Sequence, residues 1–456
     1  MQIFSLYRMA KVNRRCLFGI MTLFTSISII HDTATAENIV SFSGNKHNPV
    51  EIIPDIDTGL DVVFVLRNTT GVSFTYQSES TSEVRFYSFD NRGISFMTPI
   101  DNITKDNRKY TVNILNSDSG YIIEEDNKVY RFWIINYSDN PLSMESITPS
   151  DSSDCNATVI KISGNGAPII YYTILGRRMI ISREIESVYY TLEFDSETSR
   201  YIQVEKNKFL PSFSDRITIT PPVYCNTTFF INGDRFLREW GLGISLESEP
   251  IITNSIEVHS EAIPHIKKEY DTSNTISDNS DFMGGSAPFD VTFKGYATDA
   301  ATYTEWQFSS DENFEDITHR FHESEIDYSF TKEGTTFVRF SASNSDGSCE
   351  AISNTFPICI GTSELKIPNA FSPDGDGIND VWKVAYRSLL DFECSIFDRH
   401  GHEIYRFSDP ASGWDGKKNG KTVGPGVYFY IVKATGADGR RYKKSGDINI
   451  INRKIN

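Results

Sequence analysis

Four oxygen-bearing side chains, Asp374, Asp376, Asn379 and Asp380, fall within the run Asp374-Gly375-Asp376-Gly377-Ile378-Asn379-Asp380. Carboxylates alternating with glycine can turn several oxygens toward one hard cation, because glycine permits the tight backbone path. Calcium is the cofactor this chemistry suggests. The run departs from the twelve-residue helix-flanked calcium loop in two places: Ile378 stands where an oxygen ligand belongs, and Ala385 where the closing glutamate belongs. The competing reading is a turn rich in Asx motifs, held by its own side chains. Asp415, between Trp414 and Gly416, reads as a turn-former.

Catalytic constellations do not assemble from the remaining residues. His402-Glu403-Ile404-Tyr405-Arg406 begins like a zinc-protease helix, but Arg406 stands where the second histidine must be and the context is a strand. His319 and His322 have no cysteine or third histidine close in sequence to complete a zinc set. Neither a nucleophile elbow nor a phosphate-binding glycine loop occurs. A spatial pair of carboxylates for glycoside hydrolysis leaves no sequence trace. Segments of roughly 90 to 120 residues are nevertheless too small for a catalytic barrel. The chain is expected not to be an enzyme.

The elements that would carry these residues are strands. Asp61–Leu66, Val72–Tyr76, Val84–Phe89 and Val129–Tyr137 are short runs rich in aromatic and β-branched residues, divided by turn signals. Ile169–Leu175, Val188–Phe194, Arg216–Thr220 and Thr228–Ile231 repeat the pattern. Alternation predicts one inward and one outward face per strand, the pattern of a sandwich. At 456 residues there is room for three or four such units. The polar stretches Thr148–Asp154 and Lys268–Ser286 divide them. The expected organisation is 1–36 signal peptide, 37–147 and 148–267 β-sandwich domains, 268–362 an immunoglobulin-like domain, and 363–456 a C-terminal domain. The fold class is all-β, tandem immunoglobulin-like β-sandwiches.

Lys11, Arg14 and Arg15 precede the uncharged apolar run Cys16–Ile30, and Ala34-Thr35-Ala36 is a small-residue cleavage site, so cleavage is expected after Ala36. About fifteen residues are too few to span a bilayer comfortably. The whole chain carries a net charge of −17, and removal of Arg8, Lys11, Arg14, Arg15 and Asp32 with the signal peptide makes it more acidic still. Such a surface repels nucleic acid, which is excluded as a partner.

All mature cysteines are expected to meet an oxidising compartment. Cys155 and Cys225 lie in one expected domain and are the predicted disulfide. Cys349 and Cys359 are separated by a mainly extended segment, about 33 Å at ~3.3 Å per residue, beyond bridging distance unless a turn near Asn354-Thr355 folds it back. Cys394, in the alternating run Phe392–Asp398, is expected to be a buried thiol.

Two segments resemble known families. The runs PNAFSPDGDGINDVW at 368–382, GWDG at 413–416, PGVYFY at 425–430 and GDINIIN at 446–452 occur in the order of the gliding-motility-associated C-terminal domain, a type B sorting domain of the type IX secretion system. That resemblance implies export across an outer membrane, with the secretion machinery and an outer-membrane barrel as partners. Upstream, Pro288–Phe293, Trp306-Gln307-Phe308, Tyr328–Phe330, Gly334–Phe340 and the turn Asn344–Gly347 resemble a PKD-type domain, with Trp306 as its core aromatic. Ser309–Glu312 replaces the family's glycine-aspartate turn. The resemblance implies a spacer or contact surface.

The expected protein is therefore a secreted or cell-surface, non-enzymatic adhesion, envelope-structural or partner-binding protein with an unknown protein or glycan ligand. The alternative is a glycan-binding accessory of polysaccharide processing, in which Trp133, Trp240 or Tyr171-Tyr172 would stack on sugar rings. Exposure of those rings separates the two.

Overall fold

The structure, a computed structural model, describes residues 40–113, 118–265, 276 and 283–451. The expected signal peptide and its cleavage residue Ala36 lie outside the described residues. These are overwhelmingly strands, with one short α-helix, Arg235–Glu239, among them. None of the described helices is long and apolar enough to cross a membrane.

The first unit pairs a four-stranded sheet (Ser41–Ser43, Ser73–Gln77, Lys109–Asn113, Ile103–Asp106) with a six-stranded one centred on Val62–Leu66 and Lys128–Asn136. Those two central strands run parallel, Phe132 opposite Val62. All five residues of Val62–Leu66 are buried, contrary to the expected polar outer face. Val62, Phe64, Leu66, Phe132 and Ile134 join Phe74 in one core, whereas Val63, Val65, Trp133 and Ile135 join Ile160, Ile217 and Phe229 of the second unit in another. A sheet covered on both faces needs apolar residues at every position, and the unbroken run Val62-Val63-Phe64-Val65-Leu66 is that pattern.

The second unit comprises Ser143–Pro149, Thr158–Asn165 and Arg216–Ile219, the hairpin of Ile169–Tyr172 with Arg178–Ile181, and a sheet led by the long hairpin of Ile185–Asp195 with Arg200–Leu210. Ser143–Pro149 runs through the expected 147/148 boundary and pairs with Thr158–Asn165. The polar stretch after it is a turn inside the unit, where Asp154 Oδ1 accepts from the N–H groups of Asn156 and Ala157, both at 2.8 Å. Val258–Pro264 likewise lies before the expected 267/268 boundary yet pairs with Phe289–Ala297 of the third unit. Composition marks turns, but a strand's allegiance is decided by its hydrogen-bond partner.

In the third unit Val258–Pro264, Phe289–Ala297 and Glu325–Phe330 face a sheet of Met283–Gly285, Phe356–Ile360, Gly334–Ser343, Tyr303–Ser309 and Ile317–Phe321, with Glu350–Ile352 alongside Gly334–Ser343. Trp306 is fully buried, packed on Phe293 and Phe340, as expected of a sandwich core aromatic. The C-terminal unit is built on a five-stranded sheet ordered Ala370–Phe371, Arg441–Ile450, Gly426–Gly436, Leu389–Phe397, Glu403–Phe407.

The expected Cys155–Cys225 bridge is not formed. Cys155 is bonded instead to Cys349, with Cα atoms 5.5 Å apart at a sequence separation of 194, and Cys225 is a free, half-buried thiol. The turn 150–157 of the second unit meets the turn Asn344–Cys349 of the third, beside a small apolar cluster of Ile256, Ala342 and Cys349. Sharing a unit does not bring two cysteines within reach; adjoining turns do. Glu350–Ile352 and Phe356–Ile360 pair with the same strand, Gly334–Ser343, in the same direction, so the segment between Cys349 and Cys359 stays extended. Alkylation of the denatured, unreduced protein should therefore spare Cys155 and Cys349 and modify Cys225, Cys359 and Cys394, as read by peptide mass spectrometry. Modification of Cys155 would exclude the bridge.

Candidate functional site

The aspartate loop is presented by a pair of tryptophans. Trp382 and Trp414 are fully buried and form an antiparallel bridge, the N–H of each donating to the carbonyl of the other at 2.9 and 3.0 Å. Their indole N–H groups donate to the carbonyls of Pro368 and Lys417. This clamp closes both ends of the run 368–382 onto the core of the C-terminal unit. Gly413 has to be glycine: a Cβ there would lie 2.7 Å from the Trp382 carbonyl oxygen. Asp415 does act as a turn-former, accepting from Lys417 N–H at 3.1 Å and from its ammonium at 2.7 Å, and the Lys417 ammonium holds the carboxyl below its usual range.

Within the loop, oxygens of Asp374, Asp376 and Asp380 lie within 4.8 Å of one another. It is the only cluster of its kind, three or more acidic, histidine or cysteine ligands within reach of one ion, among the described residues. The same carboxylates also serve the loop itself. Asp380 accepts from the N–H groups of Gly375 and Gly377, both at 2.7 Å, and these two bonds hold its carboxyl below the usual range. Asp376 accepts from Ile378 N–H at 2.8 Å, and Asp374 from Asp376 N–H at 3.3 Å. Gly375 and Gly377 stand at φ 84° and 88°, which aims their amides inward. Asn379 adopts the left-handed conformation, φ 55°, and its carbonyl accepts from Ser372 N–H at 3.0 Å.

The other sequence candidates lie apart. His319 sits on the strand Ile317–Phe321, its ring parallel to Phe321, and His322 is exposed just beyond it. Glu403 begins the strand Glu403–Phe407 and pairs with Arg406 at 2.6 Å. Cys394 is fully buried, and burial pushes its thiol up to about 12. The proposed sugar platform is absent from the surface. Trp133 lies fully buried between the first two units, Trp240 packs edge-on against Tyr137, and Tyr171 is buried, with half-buried Tyr172 against Trp133. These rings are large apolar surfaces used to fill the inter-unit core, which removes the residues on which the glycan reading rested.

Two buried polar sites escaped the sequence. Glu125, 2% exposed, accepts from Ser78 Oγ at 2.5 Å, Tyr76 Oη at 2.6 Å, Ser80 Oγ at 3.0 Å and Ser80 N–H at 3.1 Å. Burial by itself would raise this carboxyl, but the hydrogen bonds from Ser78, Tyr76 and Ser80 outweigh it and hold it down to about 2. The second is an ion pair, Arg183 to Asp234 at 2.5 Å, with both side chains wholly buried. Asp234 also accepts from Tyr137 Oη at 3.0 Å and caps the helix Arg235–Glu239 through Leu237 N–H, while Arg183 reaches the carbonyls of Ala167 and Asn140. Because Tyr137 and Asn140 follow the central strand of the first unit, this network ties the first two units together.

Comparison with known proteins gives the C-terminal unit its family. Residues 365–450 match the CHU_C type IX secretion signal domain, and residues 147–248 match a fibronectin type III domain. No curated protein matches the chain. Among solved structures, the three N-terminal domains of the highly immunogenic outer capsid protein of bacteriophage RB49 align at 10% identity and TM-score 0.21, covering 69% of this chain and all of that one. Dimeric latent PorU from Porphyromonas gingivalis aligns at 9% identity and TM-score 0.15, covering 72% of this chain and 36% of that one. Fibronectin type III and secretion-signal domains are non-catalytic kinds of domain. The chain thus carries a type IX secretion signal domain at 365–450, preceded by a fibronectin type III-like domain at 147–248, and is an all-β protein destined for export out of the cell through that machinery.

Proposed function

We infer that the protein is a non-enzymatic component of the cell surface or its surroundings, in which three β-sandwich units, divided ahead of the strands Ser143–Pro149 and Val258–Pro264 and ending near residue 362, form a contact surface and 363–456 is the address. The secretion signal domain carries this reading, since its match identifies the route. The continuous core of the first two units and the Cys155–Cys349 bridge to the third support a stiff adhesive or structural arm. The partners are the secretion machinery, an outer-membrane barrel that works with it, and a protein ligand. Residues 363–456 behind a signal peptide and a reporter should carry it to the surface or medium of a type IX-competent host. Deleting them should leave the protein in the periplasm, and surface delivery of the truncated chain would overturn the assignment.

Calcium held by Asp374, Asp376, Asn379 and Asp380 is the reading to be tested against the self-held turn, which the loop's own hydrogen bonds support. Extracellular modules bind calcium at about 0.1 to 1 mM. Millimolar calcium should accordingly raise the melting temperature of the full chain, chelator should reverse the rise, and Asp376→Ala should abolish the response. A melting curve indifferent to calcium, with Asp376→Ala destabilising, would assign the loop to a self-hydrogen-bonded turn.

A further inference from the structure

Against the second unit, where its chain leads into the third, lies a cavity of about 320 Å³, within the size range of small-ligand pockets. The strand Ile185–Asp195 supplies Tyr189 and Glu193, the loop after the strand Arg216–Ile219 supplies Pro221, Pro222 and Tyr224, and Glu257 is the residue just before the strand Val258–Pro264. Tyr189 lies over the fully buried Phe229 ring, centroids 5.0 Å apart and planes 23° from parallel, which makes it a rigid wall. Glu257 is anchored through its backbone, its N–H donating to Thr298 Oγ1 and its carbonyl accepting from Thr298 N–H, both at 3.1 Å.

The charges in this cavity are unbalanced. Glu193 is matched by Lys206 at 2.5 Å. The half-buried Glu257 carboxylate has no hydrogen-bond or ion-pair partner among the described residues. Its charge acts on Tyr201, whose hydroxyl is buried without a partner, and on Tyr224. Burial and the nearby Glu193 push its carboxyl upward, as expected of an acid removed from water without a counter-ion. A partly desolvated anion flanked by tyrosine rings and prolines is complementary to a cation on an apolar stem. The ring faces attract the charge, the apolar walls cover the methylenes, and the carboxylate accepts the N–H groups.

We propose that this cavity is a recognition site for a single alkylammonium or guanidinium group, with Glu257 as its counter-ion and Tyr189 and Tyr224 as its walls. The group is either the head of a free amine or the side chain of a lysine or arginine on a protein partner. The proposal deepens the partner-binding reading and rests on it. Absence of binding would leave export intact, and failed export would leave this site intact.

Isothermal titration of the full chain with n-butylamine, Nα-acetyl-lysine methylamide and Nα-acetyl-arginine methylamide tests it, with Nα,Nε-diacetyl-lysine methylamide and a chitin oligosaccharide as neutral probes. The cationic probes should saturate and the neutral ones should not. Butylamine as tight as the amide-capped probes would identify a free amine as the ligand, and tighter binding of the capped probes a protein side chain. Glu257→Gln should weaken the cationic probes by about tenfold or more while leaving the melting temperature equal to or above that of the parent, because an uncompensated anion has been removed. Lys206→Met, which frees Glu193, should strengthen them. Equal binding of a neutral probe, undiminished binding by Glu257→Gln, or no saturation by any cationic probe would overturn the proposal.

Discussion

Replacing Asp234 with asparagine should destabilise the protein by about 3–5 kcal/mol, because it leaves the Arg183 guanidinium buried without its counter-charge. Both partners are wholly buried, so water cannot take over the lost interaction. Asparagine still caps a helix well, so the loss comes from the charge. Asp234→Ala should cost about 1 kcal/mol more by removing the cap to Leu237 as well. Replacing both residues with apolar ones of similar volume should recover much of the loss, since a buried ion pair is expensive to break yet often replaceable as a whole. Chemical denaturation of the four proteins measures this. Hydrogen exchange should quicken at Leu142, whose N–H donates to the Tyr137 hydroxyl at 3.0 Å beside the pair. A loss below about 1 kcal/mol in Asp234→Asn, the range of an exposed pair, would show that water enters the junction.

Glu125 should give the protein an acid-sensitive first unit. Its carboxyl is held down to about 2 in the folded protein against an ordinary value of 4.5. A depressed folded value means stability that is fully present above about pH 4.5 and is lost as pH falls through about 2. At about 1.4 kcal/mol per pH unit between the two values, the contribution near neutrality is on the order of 3 kcal/mol. Glu125→Gln should therefore lose about 2–3 kcal/mol at pH 7, and the gap from the parent should close as pH drops to 2. The same substitution leaves the hydroxyls of Tyr76 and Ser78 facing a weaker acceptor. A gap independent of pH would show that the cost is one of shape and not of charge.

Local sequence determined the all-β class, the position of most strands and the buried state of Trp306 and Cys394. Each of these depends on alternation or on unbroken apolar character within a few residues, which is where strand sequences store their information. The address of the C-terminal unit was equally legible, because its motifs are contiguous. The tryptophan clamp explains that contiguity: Trp382 and Trp414 each close a short loop onto one core. The carboxylates of Asp374, Asp376 and Asp380 converge because they belong to one tight turn.

Tertiary structure alone decided what joins distant strands. Glu125 meets Ser78 across 47 residues, Arg183 meets Asp234 across 51, Tyr137 meets Asp234 across 97, and Cys155 meets Cys349 across 194. Which strands become neighbours in a sheet depends on hydrogen bonds and packing far apart in the chain, and no local spacing records that. The first unit's central sheet gained a second buried face for the same reason, since another unit's core covers it. That burial turned Trp133 from a candidate ligand platform into a packing residue, and the meeting of two turns, not membership of one domain, chose the partner of Cys155.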